Sequence, residues 1–66
     1  MTYGQYLERV MVVMASNPSW RQGQTMFNVL WEVNPALAER VRGSLVDPFY
    51  SEAIIPEFLA HVERCW

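Results

Sequence analysis

The segment from Trp20 to Trp31 limits the possible fold more than any other part of this chain. Its apolar residues recur every three or four positions, which is the spacing of one helical face. The same helix would carry Asn28 and also Gly23, although glycine costs about 1 kcal/mol relative to alanine inside a helix. We therefore expect Gly23 to allow close approach of another helix or of an aromatic ring. The alternative is that this glycine forms the floor of a groove for a partner.

Capping signals place the first two helices. Thr2 and Gln5 have the spacing of a capping box, in which Thr2 is the N-cap and the first helix follows directly. Asn17 followed by Pro18 is typical of an N-cap and the first helical residue. The second helix is therefore predicted to run from about Pro18 to Val33.

The third and fourth helices have similar signals. Asn34 followed by Pro35 repeats the cap-then-proline pattern, and Gly43 is placed to end this short helix in the left-handed conformation. The last helix is predicted to begin near Ile54, with Pro56 in its first turn.

A loop without periodicity runs from Ser44 to Tyr50. Asp47 followed by Pro48 is a turn signal, because a proline disfavours the helical conformation in the residue before it. We expect Phe49 and Tyr50 to pin this loop to the body of the protein.

No segment alternates apolar and polar residues with period two over the length of a strand. The sequence therefore predicts an all-α fold, a compact bundle of three to four helices in a single domain spanning residues 1–66. The first, second and fourth helices should form the core, and the third helix and the loop should cross one end. The predicted apolar faces contain Tyr3, Tyr6, Leu7, Val10, Val13 and Met14, then Trp20, Gly23, Phe27, Leu30 and Trp31, then Leu37, Ala38 and Val41, and finally Ile54, Ile55, Phe58, Leu59, Val62, Cys65 and Trp66.

Charge and cysteine content argue against several classes of protein. The formal net charge of −2 gives no field that favours nucleic acid or an acidic membrane. Cys65 is the only cysteine, so no internal disulfide can form. The apolar run from Val10 to Ala15 is too short to cross a bilayer. We expect a cytoplasmic protein with no membrane partner.

Candidate groups for catalysis or metal binding are few. Glu57, His61 and Cys65 could share a helix flank, but one histidine and one cysteine do not make the tetrahedral set that zinc usually requires. Ser44, Ser51 and Cys65 have only His61 as a possible base, and no known signature joins them. The sequence therefore predicts no catalytic residue, no metal site and no cofactor, and a protein that is not an enzyme.

A polar flank of the second helix is the candidate partner-binding site. Arg21, Gln24 and Asn28 lie at spacings of three and four residues. We favour an internal hydrogen-bond network between this flank and the loop, and the second interpretation is a surface for a protein partner. The third is base reading, because arginine suits guanine, and asparagine or glutamine suits adenine. The chain has no lysine for phosphate contacts, however, and Glu32 continues the same flank.

Aromatic residues predict exposed apolar surface. They make up 14% of the chain, with three residues each of tryptophan, tyrosine and phenylalanine. A body of 66 residues cannot bury all of these rings. Exposed aromatic surface favours a protein partner or self-association.

Two blocks of residues together form a recognisable pattern: Trp20-Arg21-x-Gly23-Gln24-x-x-Phe27-Asn28-x-Leu30, followed by Gly43 and Asp47-Pro48-Phe49-Tyr50. The pattern resembles a family of small bacterial and bacteriophage proteins that has no established activity. This resemblance extends from Trp20 to roughly Phe58. It implies a bacterial or phage origin, a cytosolic location and a small accessory or regulatory role, and it assigns no catalytic or ligand residue.

The resulting functional hypothesis is a non-enzymatic accessory or regulatory protein that acts through protein–protein interaction. Its surface would be the flank with Arg21, Gln24 and Asn28, or the exposed aromatic residues. The alternative is a nucleic-acid-binding accessory protein that uses Arg21, Arg40 and Arg42. Salt dependence separates the two hypotheses, because counterion release makes nucleic-acid binding fall steeply with salt.

Overall fold

The computed structural model describes all 66 residues and contains four α-helices and no strand. The helices are α1 (Tyr3–Ser16), α2 (Gln22–Val33), α3 (Pro35–Val41) and α4 (Ile55–Cys65), and a single 3₁₀ turn, Glu52–Ile54, leads into α4. The predicted all-α bundle is therefore confirmed. No helix has the length and apolar character needed to cross a membrane.

The core surrounds α2, which contributes more buried apolar residues than any other helix. Helix α3 also belongs to the core, although the core was predicted to come from the first, second and fourth helices; the predicted apolar face of α3, Leu37, Ala38 and Val41, is confirmed. Its seven residues include three that are almost wholly inaccessible to solvent. The buried apolar residues are Tyr6 and Val10 of α1, Met26, Phe27, Val29 and Leu30 of α2, Leu37, Ala38 and Val41 of α3, and Phe58 and Val62 of α4.

Four of the five predicted helix-end signals are confirmed, including Pro56 in the first turn of α4. The Thr2 hydroxyl accepts the Gln5 N–H, and the Gln5 side chain accepts the Thr2 N–H, which completes the capping box. The Asn34 side chain accepts the Leu37 N–H at the start of α3. Gly43 follows α3 with a φ of 73°, in the left-handed region that glycine adopts without steric cost.

The predicted start of α2 at Pro18 is wrong, because Asn17 serves the end of α1 instead. Its backbone N–H donates to the Met14 carbonyl, and its side-chain amide donates to the Val13 carbonyl at 2.9 Å. These two bonds satisfy carbonyls that the end of a helix leaves unpaired. Helix α2 therefore begins only at Gln22, after a turn.

Several predicted core positions differ in exposure. Trp31 is 44% exposed, and Cys65 at the end of α4 is also exposed. Conversely, Thr25 and Val29 are buried although the sequence did not predict it. Thr25 tolerates burial because its hydroxyl donates to the Arg21 carbonyl at 3.0 Å, one helical turn earlier.

An aromatic cluster joins α1 to the end of α4. The Trp66 ring lies 5.2 Å from the Tyr6 ring and 6.3 Å from the Tyr3 ring, measured between centroids. Beneath it, the Tyr6 hydroxyl donates to the Met26 carbonyl of α2 at 2.7 Å. Tyr6 is fully buried, so this one hydroxyl links α1 to α2 in the core.

The pH dependence of stability should report the burial of Tyr6. Burial raises the pKa of Tyr6, and the nearby Tyr3 raises it further. The folded protein thus keeps this group protonated at a pH where the unfolded chain ionises it. The contribution of protonated Tyr6 to the free energy of unfolding is fully present below about pH 10. It is lost as the pH rises beyond that value, at up to about 1.4 kcal/mol per pH unit.

The variant Tyr6→Phe should remove this part of the alkaline loss of stability. At neutral pH it should cost about 1 kcal/mol, because the hydrogen bond to Met26 is lost while the ring remains. Urea unfolding of both proteins between about pH 8 and pH 11 checks this. The control is Tyr50→Phe, at an exposed tyrosine. An identical alkaline slope for parent and Tyr6→Phe would contradict the prediction.

Candidate functional site

The loop before α4 packs its backbone directly on the start of α2. Gly23 and Pro48 are both buried where the two segments meet. A Cβ atom on residue 23 would overlap the Pro48 carbonyl oxygen. Close approach at Gly23 is therefore confirmed, but the approaching group is loop backbone and not a helix or an aromatic ring.

Two hydrogen bonds hold the start of α2 against the loop and the turn that follows it. The Gly23 N–H donates to Oε1 of Glu52 at 3.0 Å, and the Arg21 guanidinium donates to the Phe49 carbonyl at 2.8 Å. Helix α2 has no acidic residue in its own first turn, and the side chain of its N-cap residue, Arg21, cannot accept a hydrogen bond. Glu52, which follows the loop in sequence, therefore supplies a negative charge that stabilises the N-terminus of α2.

The loop is also braced from within by Asp47. Its Oδ2 accepts the Gly43 N–H at 2.7 Å, and its Oδ1 accepts the Phe49 N–H at 2.9 Å. One carboxylate thus ties the end of α3 to the residues that contact α2. The loop is held as a defined structure and not as a loose connection.

Replacing Gly23 with alanine tests the backbone contact. The added methyl group must displace the loop, which should destabilise the protein by about 1–3 kcal/mol despite the better helix propensity of alanine. The matched control is Gly4→Ala in α1, where the nearest heavy atom to a new Cβ would be 3.9 Å away. Chemical denaturation of both variants checks this. Equal stabilities for Gly23→Ala and Gly4→Ala would contradict the contact.

An open pocket of about 310 Å³ lies between the loop, the middle of α2 and the end of α3. We call it the loop pocket; it is lined by Phe27, Arg42, Gly43, Asp47, Phe49 and Tyr50. The Phe27 and Phe49 rings meet edge to face, with centroids 5.9 Å apart and planes at 88°. The Tyr50 ring packs against Phe49 at 4.8 Å. Three aromatic rings therefore form its apolar wall.

Tyr50 does not pin the loop to the body, contrary to the sequence-based expectation. Its side chain is 85% exposed and contacts the ring of Phe49 on one side. Phe49, which is half-buried against Phe27, holds the loop instead. Tyr50 therefore presents a large aromatic surface to solvent from a fixed backbone.

Charge in the loop pocket comes from Arg42 and Asp47. Both Asp47 oxygens already accept backbone N–H groups. The Arg42 guanidinium makes no hydrogen bond or ion pair within the protein, whose single salt bridge joins Arg9 to Glu32 at 3.1 Å. Arg42 is therefore the charged group of the pocket that remains available to a ligand.

The structure brings together only two of the three residues on the predicted polar flank. The Gln24 side chain accepts the Arg21 N–H at 3.4 Å, and Arg21 reaches the loop at Phe49. Asn28 makes no side-chain hydrogen bond, and no buried polar side-chain atom in the protein lacks a partner. The predicted network thus includes Arg21 and Gln24, and the inclusion of Asn28 is wrong.

Asn28 is instead half-buried on α2, three residues before the exposed Trp31. Gln24, Asn28 and Trp31 follow one another at helical spacings of four and three, so they share one side of the helix, which we call the α2 face. Phe27 lies three residues after Gln24 and four before Trp31. The α2 face therefore borders the loop pocket along Phe27.

Two variants on this flank should behave differently. Arg21→Ala loses its bond to the loop and should destabilise the protein by about 1 kcal/mol. Asn28→Ala breaks no bond and should leave the stability unchanged or raise it by up to about 0.5 kcal/mol, because alanine is the better helix former. Melting temperatures of both variants measure the difference. A clear loss of stability in Asn28→Ala would show that this side chain has a structural role.

The remaining reactive side chains lie apart from this site. The Sγ atom of Cys65 and the Nε2 atom of His61 are 3.8 Å apart at the exposed end of α4. No group of three or more His, Cys, Asp or Glu side chains is arranged to hold a metal ion. Arg40 and Arg42 are both exposed, the first in the last turn of α3 and the second just after it.

Comparisons with models of known protein families, with curated proteins and with solved structures found no significant match. Function must therefore be inferred from the geometry of the loop pocket and the α2 face.

Two residues of this site were not identified from the sequence in their present roles. Glu52 gives no local signal, since it caps a helix that begins thirty residues earlier in the chain. The sequence suggested Arg42 only as a contact to nucleic acid, and its position beside an aromatic pocket depends on how the loop folds back. Because Asn17 offered a local N-cap for α2, the sequence gave no sign that a distant residue caps this helix.

Proposed function

We propose that this protein is a non-enzymatic accessory or regulatory protein that binds a protein partner through the α2 face and the loop pocket. The observation that carries the proposal is the 85% exposure of Tyr50 on a loop held by hydrogen bonds and by backbone packing. An exposed aromatic ring on a fixed backbone loses little conformational entropy on binding, which favours association.

The chemistry of the exposed residues supports a protein partner. Trp31, Arg42 and Tyr50 belong to the three residue types most enriched among residues that dominate binding energy in protein interfaces. All three are exposed, and the half-buried Gln24 and Asn28 share one side of α2 with Trp31 as polar neighbours. An aromatic and arginine centre flanked by neutral polar groups is a usual composition for an interface.

The nucleic-acid alternative has weaker support in the arrangement of the arginines. Arg21 is hydrogen-bonded to the loop and Arg9 is paired with Glu32, which leaves the side chains of Arg40, Arg42 and Arg64 with no hydrogen-bond or ion-pair partner. The net charge of −2 and the absence of lysine leave few groups for phosphate contacts.

Affinity capture from a bacterial lysate tests the proposal with two matched loop variants. Tyr50→Ser alters the proposed surface, whereas Leu45→Ser changes a side chain that is 93% exposed in the same loop but does not line the pocket. We expect one protein to be retained by the parent and by Leu45→Ser, to be lost from Tyr50→Ser, and to resist nuclease treatment.

Two other outcomes would reject the proposal. Equal retention by Tyr50→Ser would place any interface elsewhere on the molecule. Retention that disappears with nuclease and falls steeply with salt would favour the nucleic-acid alternative. Sedimentation of the purified protein, at the concentration used for capture, distinguishes a foreign partner from a second copy of this chain.

A further inference from the structure

We infer that the loop pocket receives an acidic segment of the partner, with an apolar side chain against the three aromatic rings and a neighbouring carboxylate on Arg42. This inference rests on the proposed function, since it names the chemistry of the partner at that surface. It follows from the size of the pocket, from its aromatic wall and from the one charged group in it that is free.

The apolar part of the occupant is set by the wall of the pocket. Phe27, Phe49 and Tyr50 offer ring faces and edges at angles of 65° and 88° to one another, which surround a concave space of about 310 Å³. Small-molecule pockets span roughly 300–1,000 Å³. A space at the lower end of that range suits one large apolar side chain and not a folded surface.

The charge of the occupant is set by Arg42 and not by Asp47. An aromatic pocket with a free carboxylate would favour a cation, as in the recognition of alkylated ammonium groups. Here each Asp47 oxygen accepts a backbone N–H, from Gly43 or from Phe49, and these donors offset part of the negative charge that the carboxylate presents to the pocket. The Arg42 guanidinium has no partner, and its planar set of donors matches a carboxylate.

The position of the pocket agrees with a peptide-like occupant. Its rim continues along Phe27 onto the α2 face, where Gln24 and Asn28 present amide groups. The Asn28 amide makes no hydrogen bond within the protein, so it remains free to pair with the backbone of an extended segment. A chain that places one side chain in the pocket can thus run along α2.

Three blocked tripeptides test the inference directly: Ac-Asp-Phe-Asp-NH₂, its isosteric neutral counterpart Ac-Asn-Phe-Asn-NH₂, and the cationic Ac-Lys-Phe-Lys-NH₂. Each is titrated into the ¹⁵N-labelled protein at low salt while the amide signals of Gly43, Phe49 and Tyr50 are followed. We expect saturable shifts with the acidic peptide and affinities at least tenfold weaker for the other two, the size of effect that one charge-assisted hydrogen bond gives.

Two arginine variants complete the test. Arg42→Gln should reduce the affinity for the acidic peptide to that of the asparagine peptide, while Arg40→Gln, two residues earlier in the last turn of α3 and outside the pocket, should leave it unchanged. Equal affinities for the acidic and lysine peptides, no saturable shift at the three amides, or full binding by Arg42→Gln would each overturn the inference.

The peptide titration tests the acidic occupant, and the lysate capture tests the partner surface, so either proposal can be rejected without the other. Loss of capture in Tyr50→Ser without any preference for the acidic peptide would retain the proposed function and reject the acidic occupant. Selective binding of the acidic peptide, together with capture that does not depend on Tyr50, would retain the pocket chemistry and reject the proposed partner surface.

Discussion

The contact between Gly23 and the Pro48 backbone is the constraint on which the rest of the site depends. Any side chain at position 23 would collide with the loop carbonyl, so the loop can lie against α2 only because this position has no Cβ atom. The cost of a glycine inside a helix is offset by what the approach allows. It brings Glu52 to the Gly23 N–H, one of the groups that the start of α2 leaves unpaired, and the Phe49 carbonyl to Arg21.

Because the loop between α3 and α4 packs on α2, it forms a defined part of the protein surface. With the backbone fixed, Phe49 packs against Phe27 and closes one side of the loop pocket, while Tyr50 has no place in the core and remains exposed. The same fold-back leaves Arg42 beside the rings with no acidic partner. Exposed aromatic and cationic groups on a rigid frame are therefore a direct consequence of how the loop is held, and they are the features that a binding partner can use.

Local signals predicted the helices well, whereas contacts between distant segments could not be predicted. The caps at Thr2 and Asn34 depend on residues within one turn, and the structure has them as expected. The prediction that Asn17 caps the start of α2 was wrong because an asparagine side chain can accept an N–H at a helix start or donate to a carbonyl at a helix end. Only the packing of α1 and α2 decides between these two roles. For the candidate site, the sequence indicated the importance of Gly23 but not the partner that approaches it. The roles of Glu52 and Arg42 depend on the path of the loop, which no periodic pattern encodes.

Hydrogen exchange at the Gly23 amide tests the docking of the loop most directly. The first N–H groups of a helix have no acceptor within it and normally exchange quickly. Gly23 should nevertheless be protected, because its N–H is buried and bonded to Glu52, while Gln22, whose N–H has no backbone acceptor, should exchange fast. In Glu52→Ala the protection of Gly23 should fall while that of the α2 interior remains. Exchange of Gly23 as fast as that of Gln22 in the parent protein would contradict a loop fixed on the start of α2.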